Sequence, residues 1–188
     1  MKVMNRYQAL QLITELGVSP NILKHLLANE AIMRALAKKF EPGQEERWAL
    51  SGLVHDADYE YTQKDPTKHP YVVADKLKTL GVDQEIIDTV LGHSTEINVK
   101  RKTLMAKSLF AGDNMAGLIT AAALVRPDKK LEGLSTESIL KRFKESSFAK
   151  GAKREEILTC EEELNIPLAE FAEICLNAMK GISKELGL

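Results

Sequence analysis

Apolar residues return every three or four positions along almost the whole chain, and the alternation expected of a half-buried strand is nearly absent. A first helix is predicted in MKVMNRYQALQLITELG. Ser19-Pro20 opens the next, with serine as cap and proline in the first turn. Ile22, Leu26, Met33, Leu36 and Phe40 then recur at helical spacing until Pro42-Gly43. Further helices are predicted from about Gln44 to Ala57, from about His69 to Leu80 (stopped by Gly81), and from an Asp83 cap to His93. Asp58 to Lys68, which holds Asp65-Pro66, is a polar loop. A long apolar helix spans about Thr103 to Val125, closed by Arg126-Pro127; basic and mixed helices follow near 136–147, 152–164 and 168–186. The pattern defines an all-α protein read as one domain over 1–188. Its main bundle covers about 20–125, and a helical extension, about 126–188, is expected to pack on it, since no flexible linker separates them.

Composition narrows the function classes. A net charge of −1 argues against a nucleic-acid coat or a polybasic membrane binder, so neither a membrane nor long nucleic acid is expected as a partner. No stretch approaches the roughly 18 apolar residues of a membrane span. The N-terminal segment lacks a small-residue cleavage site, so it reads as a helix and not a signal peptide, with a reducing cytoplasm as the default compartment. Cys160 and Cys175 lie far from every histidine and read as packing residues. The lone Trp48 reads as core.

Four histidines and three aspartates carry the candidate chemistry. His25 shares a helix face with Ile22, Ile32 and Leu36. His55 follows Ser51 and Gly52 by one turn, His93 follows Val90 by one turn, and His69 precedes Val72 and Val73 by one. All four point toward the interior. Asp113 has Ala106, Leu109, Phe110, Ala116 and Gly117 on its own face, none of them a cation. A carboxylate there must neutralise, find a distant partner or bind a metal. Gly112 and Gly117 beside it would let another helix come close. A single histidine on an apolar face is usually a hydrogen-bonded core residue, and a single aspartate a cap or ion pair. Here each residue would need its own partner, and the sequence supplies no obvious set. Imidazoles and carboxylates in the order H…HD…H…H…D are the donors that hold zinc, iron or manganese, which makes a metal-dependent hydrolase the leading reading.

At these residues the chain resembles the HD superfamily of metal-dependent phosphohydrolases, over roughly 20–125. The likeness rests on His25, on His55-Asp56 in GLVHDADYE, on His69 in KHPYVVADKL, on His93 in VLGHS and on Asp113 in LFAGDNMAGL. It is nearest to small bacterial and archaeal HD-domain proteins of the HDIG type, continuing through ALVRPDKKL and KRFKESSFAKG to the C-terminal LGL. The resemblance implies an HD-domain helical bundle in which His25, His55, Asp56 and Asp113 bind one metal. His69 and His93 stand where dinuclear members hold a second, bridged by Asp56. Ser94 follows His93, so the adjacent histidine pair of the cyclic-dinucleotide phosphodiesterase branch is missing, as is that branch's GYP signature. Tyr59 stands where HD-type dinucleoside-tetraphosphate hydrolases commonly carry a lysine.

The chemistry implied is attack of metal-bound hydroxide on a phosphoester of a small metabolite or nucleotide, with Asp56 and Asp58 as catalytic carboxylates. Asp58 and Glu60 are read either as proton carriers, as supports for ligand imidazoles, or as loop solvation. One or two divalent transition metals are expected. Histidine–carboxylate ligation favours iron or manganese and also allows zinc, nickel or cobalt, while magnesium and calcium prefer all-oxygen shells. Nine Lys/Arg against four acids give 126–154 a balance of +5. Arg126, Lys141 and Lys144 are the predicted phosphate contacts, with a solvated helical face as the competing explanation, and Arg101 and Lys102, just after His93, are a second choice. A di-iron HD-type oxygenase and a non-catalytic metal- or ligand-binding regulatory module are the alternative functions.

Overall fold

The computed structural model describes residues 4–188. The part of the predicted first helix that falls on residues 1–3 lies outside the described residues. Among the described residues ten helices follow one another: α1 Arg6–Glu15, α2 Pro20–Phe40, α3 Glu45–Val54, α4 Tyr71–Thr79, α5 Gln84–Gly92, α6 Leu104–Leu124, α7 Thr136–Lys144, α8 Arg154–Leu164, α9 Leu168–Lys180 and α10 Ser183–Leu186. Among the described residues there is no strand, and no helix is long and apolar enough to cross a membrane.

The helix starts follow from local chemistry. Asn5 and Ser135 cap α1 and α7 with reciprocal bonds, and the side chains of Ser19, Asp83 and Thr103 take first-turn amides of α2, α5 and α6. The starts of α4 and α8 carry no such local cap, and both are completed by residues distant in sequence. Asp58 serves α4, and Asn114 of α6 accepts the Lys153 amide at 2.9 Å just before α8.

α6 is apolar nearly all round and buries residues on every side, as a central helix must. It packs on α2, α5 and α8, and α2 packs most extensively on α3. The core is filled by Leu26, Ile32, Met33 and Leu36 from α2, Trp48 and Leu53 from α3, Met105, Leu109 and Met115 from α6, and Phe171 from α9. Two glycines set the helix spacing. A methyl group on Gly52 would lie 2.5 Å from the Asn29 carbonyl oxygen, and one on Gly112 would lie 3.1 Å from Ile32 Cγ2. The first draws α3 onto α2 and the second draws α6 onto α2, which brings His25, His55 and Asp113 together.

α7 to α9 lie against α2 and α6. Arg154 holds the connection between α7 and α8: its guanidinium donates to the carbonyls of Phe143, Ala149, Ala152 and Phe148 at 2.6–3.1 Å. The predicted helix over 168–186 is two helices. The chain turns at Gly181-Ile182, and α10 brings Leu186 back onto the core. Cys160 and Cys175 are buried free thiols on α8 and α9; burial pushes Cys160 up to about 12 and Cys175 well above the usual range.

Candidate metal centre

Helix ends place most of the donors. The helix predicted to reach Ala57 ends three residues earlier, and His55 is its C-cap. The His55 Nδ1–H donates to the Gly52 carbonyl at 2.9 Å, and the chain continues in tight turns, with the Ala57 amide bonded to Val54. His93 caps α5 in the same way, its Nδ1–H donating to the Val90 carbonyl. In both rings Nδ1 is the donor, so Nε2 carries a lone pair unless a second proton is added.

His69 reaches the same arrangement by another route. Pro70 precedes α4 and offers no cap. Asp58, fully buried, takes both duties: Oδ2 accepts the Val73 amide at 2.9 Å, and Oδ1 accepts the His69 Nδ1–H at 2.7 Å. Asp58 therefore has both oxygens engaged away from the reacting space. It orients an imidazole; of the three roles open to it, this is the one the geometry describes. Glu60 is likewise occupied, its carboxylate accepting the Ser19 amide at 2.8 Å where α2 begins.

The six predicted donors converge. Asp56 presents Oδ1 to His93 Nε2 at 3.0 Å and to His69 Nε2 at 3.3 Å. Its Oδ2 faces His55 Nε2 at 3.7 Å and His25 Nε2 at 3.8 Å. Asp113 Oδ1 lies 2.7 Å from His25 Nε2 and 3.4 Å from His55 Nε2. Donor atoms of His25, His55 and Asp113 all fall within 4.8 Å of one another, and so do those of His55, Asp56 and His93.

His55 Nε2 tests whether a cation fits. It is fully buried, has no hydrogen-bond partner, and turns its lone pair toward two carboxylates. With that nitrogen unprotonated the arrangement is repulsive, and a cation between the groups would relieve it. The residues present therefore suit a divalent cation.

The electrostatics agree. Burial works to raise Asp56 and Asp113, but the surrounding imidazoles outweigh it and hold both far below the usual carboxylate range. Burial works to lower His25 and His93. The Asp113 charge and hydrogen bond reverse this for His25, and Asp56 raises His93 to about 9.

Asn29 was not singled out in the sequence. It is fully buried one turn after His25, and its amide lies 3.3 Å from both His25 Nε2 and Asp113 Oδ1. Its spacing of four from His25 was the available signal, although a single asparagine on a helix is usually surface.

A cleft of about 680 Å³ opens over the donors, lined by His25, Asp56, His69, His93 and Asp113 on its floor. The predicted phosphate contacts are not in that lining. Arg126 is held by Asp128 at 3.0 Å and by the Gly133 carbonyl. Arg101 stacks over the Phe110 ring at 3.6 Å and reaches Glu163 at 3.4 Å. Lys141 and Lys144 are exposed on α7, which packs against α6 and α9. The reason is local: α7 is strongly amphipathic, and its basic face is the solvated one. The lysines that do line the cleft are Lys64 and Lys153, and Lys153 arrives from the C-terminal segment.

An all-helical bundle with a histidine–aspartate cluster between α2, α3, α5 and α6 that could hold a metal is the arrangement of an HD-type domain. The HD domain model matches residues 22–140, and the chain belongs to that family. The match runs past the expected limit near 125 and ends within α7. HD domains are metal-dependent hydrolases, and the cluster in this chain could hold a metal. No curated protein and no solved structure matches the chain.

Proposed function

We propose that this protein is a metal-dependent phosphohydrolase that hydrolyses a phosphoester of a small metabolite or nucleotide. The carrying observation is the division of Asp56: one oxygen faces His69 and His93, the other faces His25 and His55, the two imidazoles that Asp113 also meets. This supports a centre for two metals, one of which His25, His55, Asp56 and Asp113 would hold and the other of which Asp56, His69 and His93 would hold. The mixed nitrogen and oxygen donors favour iron or manganese.

Bound in this position, divalent metals lower the pKa of water toward neutrality and draw charge from phosphoryl oxygens. The chain's own residues prepare the site. Gly52, Val90 and Asp58 each hold one imidazole by its Nδ1–H, which keeps the three Nε2 atoms aimed at the cluster before anything binds. Asp113 restrains His25, and Asn29 restrains Asp113. The floor is therefore preorganised, and the cleft above it is wide enough for a small phosphorylated molecule.

The test is metal analysis of the purified chain, then assays of a phosphomonoester, a phosphodiester and a nucleotide panel with Mn²⁺ and with Fe²⁺. Bound metal with turnover of at least one ester class is expected. A chain that binds no metal and turns over none of them is not such an enzyme.

A further inference from the structure

We propose that Lys64 binds the phosphoryl group of the substrate and sets its position over the metal centre, an inference that rests on the phosphohydrolase reading. Lys64 and Lys153 are the lysines lining the cleft, and their situations differ. Lys153 Nζ is already spent on Glu156 at 2.9 Å and on Thr95 Oγ1 at 3.1 Å. Among the described residues Lys64 has no side-chain hydrogen bond or ion pair; its ammonium lies over the Tyr59 ring, 5.5 Å from the centroid. An aromatic face restrains an ammonium while leaving its N–H donors unused. Those donors and the full charge remain available to a phosphate oxygen.

The backbone places this lysine with more care than an exposed loop needs. Lys64 lies between Asp58 and His69 in a run of bonded turns. The amide and hydroxyl of Thr62 both donate to the Asp58 carbonyl at 2.8 Å, the Lys64 amide donates to Tyr59 at 2.9 Å, and the His69 amide donates to Asp65 at 2.9 Å. The segment that fixes Asp58 against His69 therefore also fixes the Lys64 backbone. Gln63 and Lys64 sit in succession in the left-handed region, at φ 57° and 62°. Side-chain-bearing residues take that conformation at a cost and keep it only where the surroundings enforce it. Tyr59 completes the link, its ring set edge-on to His69 with centroids 5.3 Å apart. The metal donors recruit the transferred group, and Lys64 supplies the cation beside them that the predicted basic helix does not.

The experiment compares wild type, Lys64→Ala, Lys64→Arg and, as a control, Lys68→Ala, each loaded with Mn²⁺ and checked for metal content. Lys68 is exposed and paired with Asp65 in the same loop. Calorimetric titration with inorganic phosphate is expected to show affinity lowered roughly tenfold or more in Lys64→Ala, the loss of one charge-assisted contact. Lys64→Arg is expected to retain most of the affinity, and Lys68→Ala all of it. For a hydrolysed phosphomonoester, KM should rise by a similar factor in Lys64→Ala, with kcat changed less. Wild-type phosphate affinity in a fully loaded Lys64→Ala protein overturns the proposal, as does a loaded wild type that binds no phosphate. Phosphate binding that depends on Lys64 without turnover of any ester supports this assignment and sinks the hydrolase reading instead.

Discussion

Asp58 Oδ1 lies 2.7 Å from His69 Nδ1, and the other oxygen of the same carboxylate caps α4 through the Val73 amide. One buried side chain thus fixes both a candidate ligand and the helix that follows it. Asp58→Asn keeps the shape but can turn an amide N–H toward His69 Nδ1, which then has no acceptor. Metal affinity at the His69–His93 side is expected to fall roughly ten- to a hundredfold, the usual effect of removing a support behind a ligand. Competition with a chromophoric chelator measures this. Affinity equal to wild type at both metal equivalents would show that Asp58 serves only the helix.

Ligand variants separate the two halves of the centre. His69→Ala and His93→Ala should each lower the metal content from two equivalents toward one. Asp56→Ala should lower both, because each oxygen faces a different donor set. Elemental analysis after gel filtration is the readout, and unchanged content in either histidine variant removes that residue from the ligand set.

Metal removal should destabilise the fold. A cation held at a hundred times its Kd stabilises the native state by about 2.7 kcal/mol. For a chain of this size that corresponds to roughly 5–10 °C in Tm. Calorimetric scans with and without a chelator test it; identical Tm values would mean that the carboxylates and imidazoles are satisfied without a cation.

Gly52→Ala should damage the site from a distance. The added methyl would meet backbone, the Asn29 carbonyl at 2.5 Å, so α2 and α3 must separate. The cost expected for such overpacking is about 1–3 kcal/mol, measurable by urea denaturation. Because His25 and His55 sit on the separated helices, metal content should fall with it. A variant with wild-type stability and metal content would show that the helices can part freely.

The Asp83 cap gives a pH test away from the metal. Burial works to raise its carboxyl, but the Glu85 amide and Arg47 outweigh this and hold it below its ordinary value of 3.8. A depressed native pKa adds stability above the unfolded value, and that contribution is lost as pH falls through the native one. Asp83→Ala should therefore cost about 1 kcal/mol near pH 7. The gap to wild type should narrow below about pH 4. Denaturation curves at pH 7 and pH 3 check the sign; a gap that widens in acid contradicts it.

The helices and the donor list were legible in the sequence because both are local matters. Caps such as Ser19, Asp83 and Thr103 act within one turn, and periodicity tells which face of a helix turns inward, so His25, His55, His93 and Asp113 could be placed as interior residues. Which residue stands opposite that face is a long-range matter. Tertiary structure alone decided that Asp56 splits its oxygens between two sets of imidazoles and that Asp58 supports His69 and α4 together. It also withdrew Arg126, Arg101 and the basic face of α7 from the cleft and put Lys64 at its edge. A count of positive charges registers only that cations are present. Local pairing decides which remain free: Asp128 captures Arg126 two residues away, whereas Lys64, at the Gln63-Lys64 turn, lines the same cleft as the candidate donors with its ammonium over the Tyr59 ring and no ion pair among the described residues.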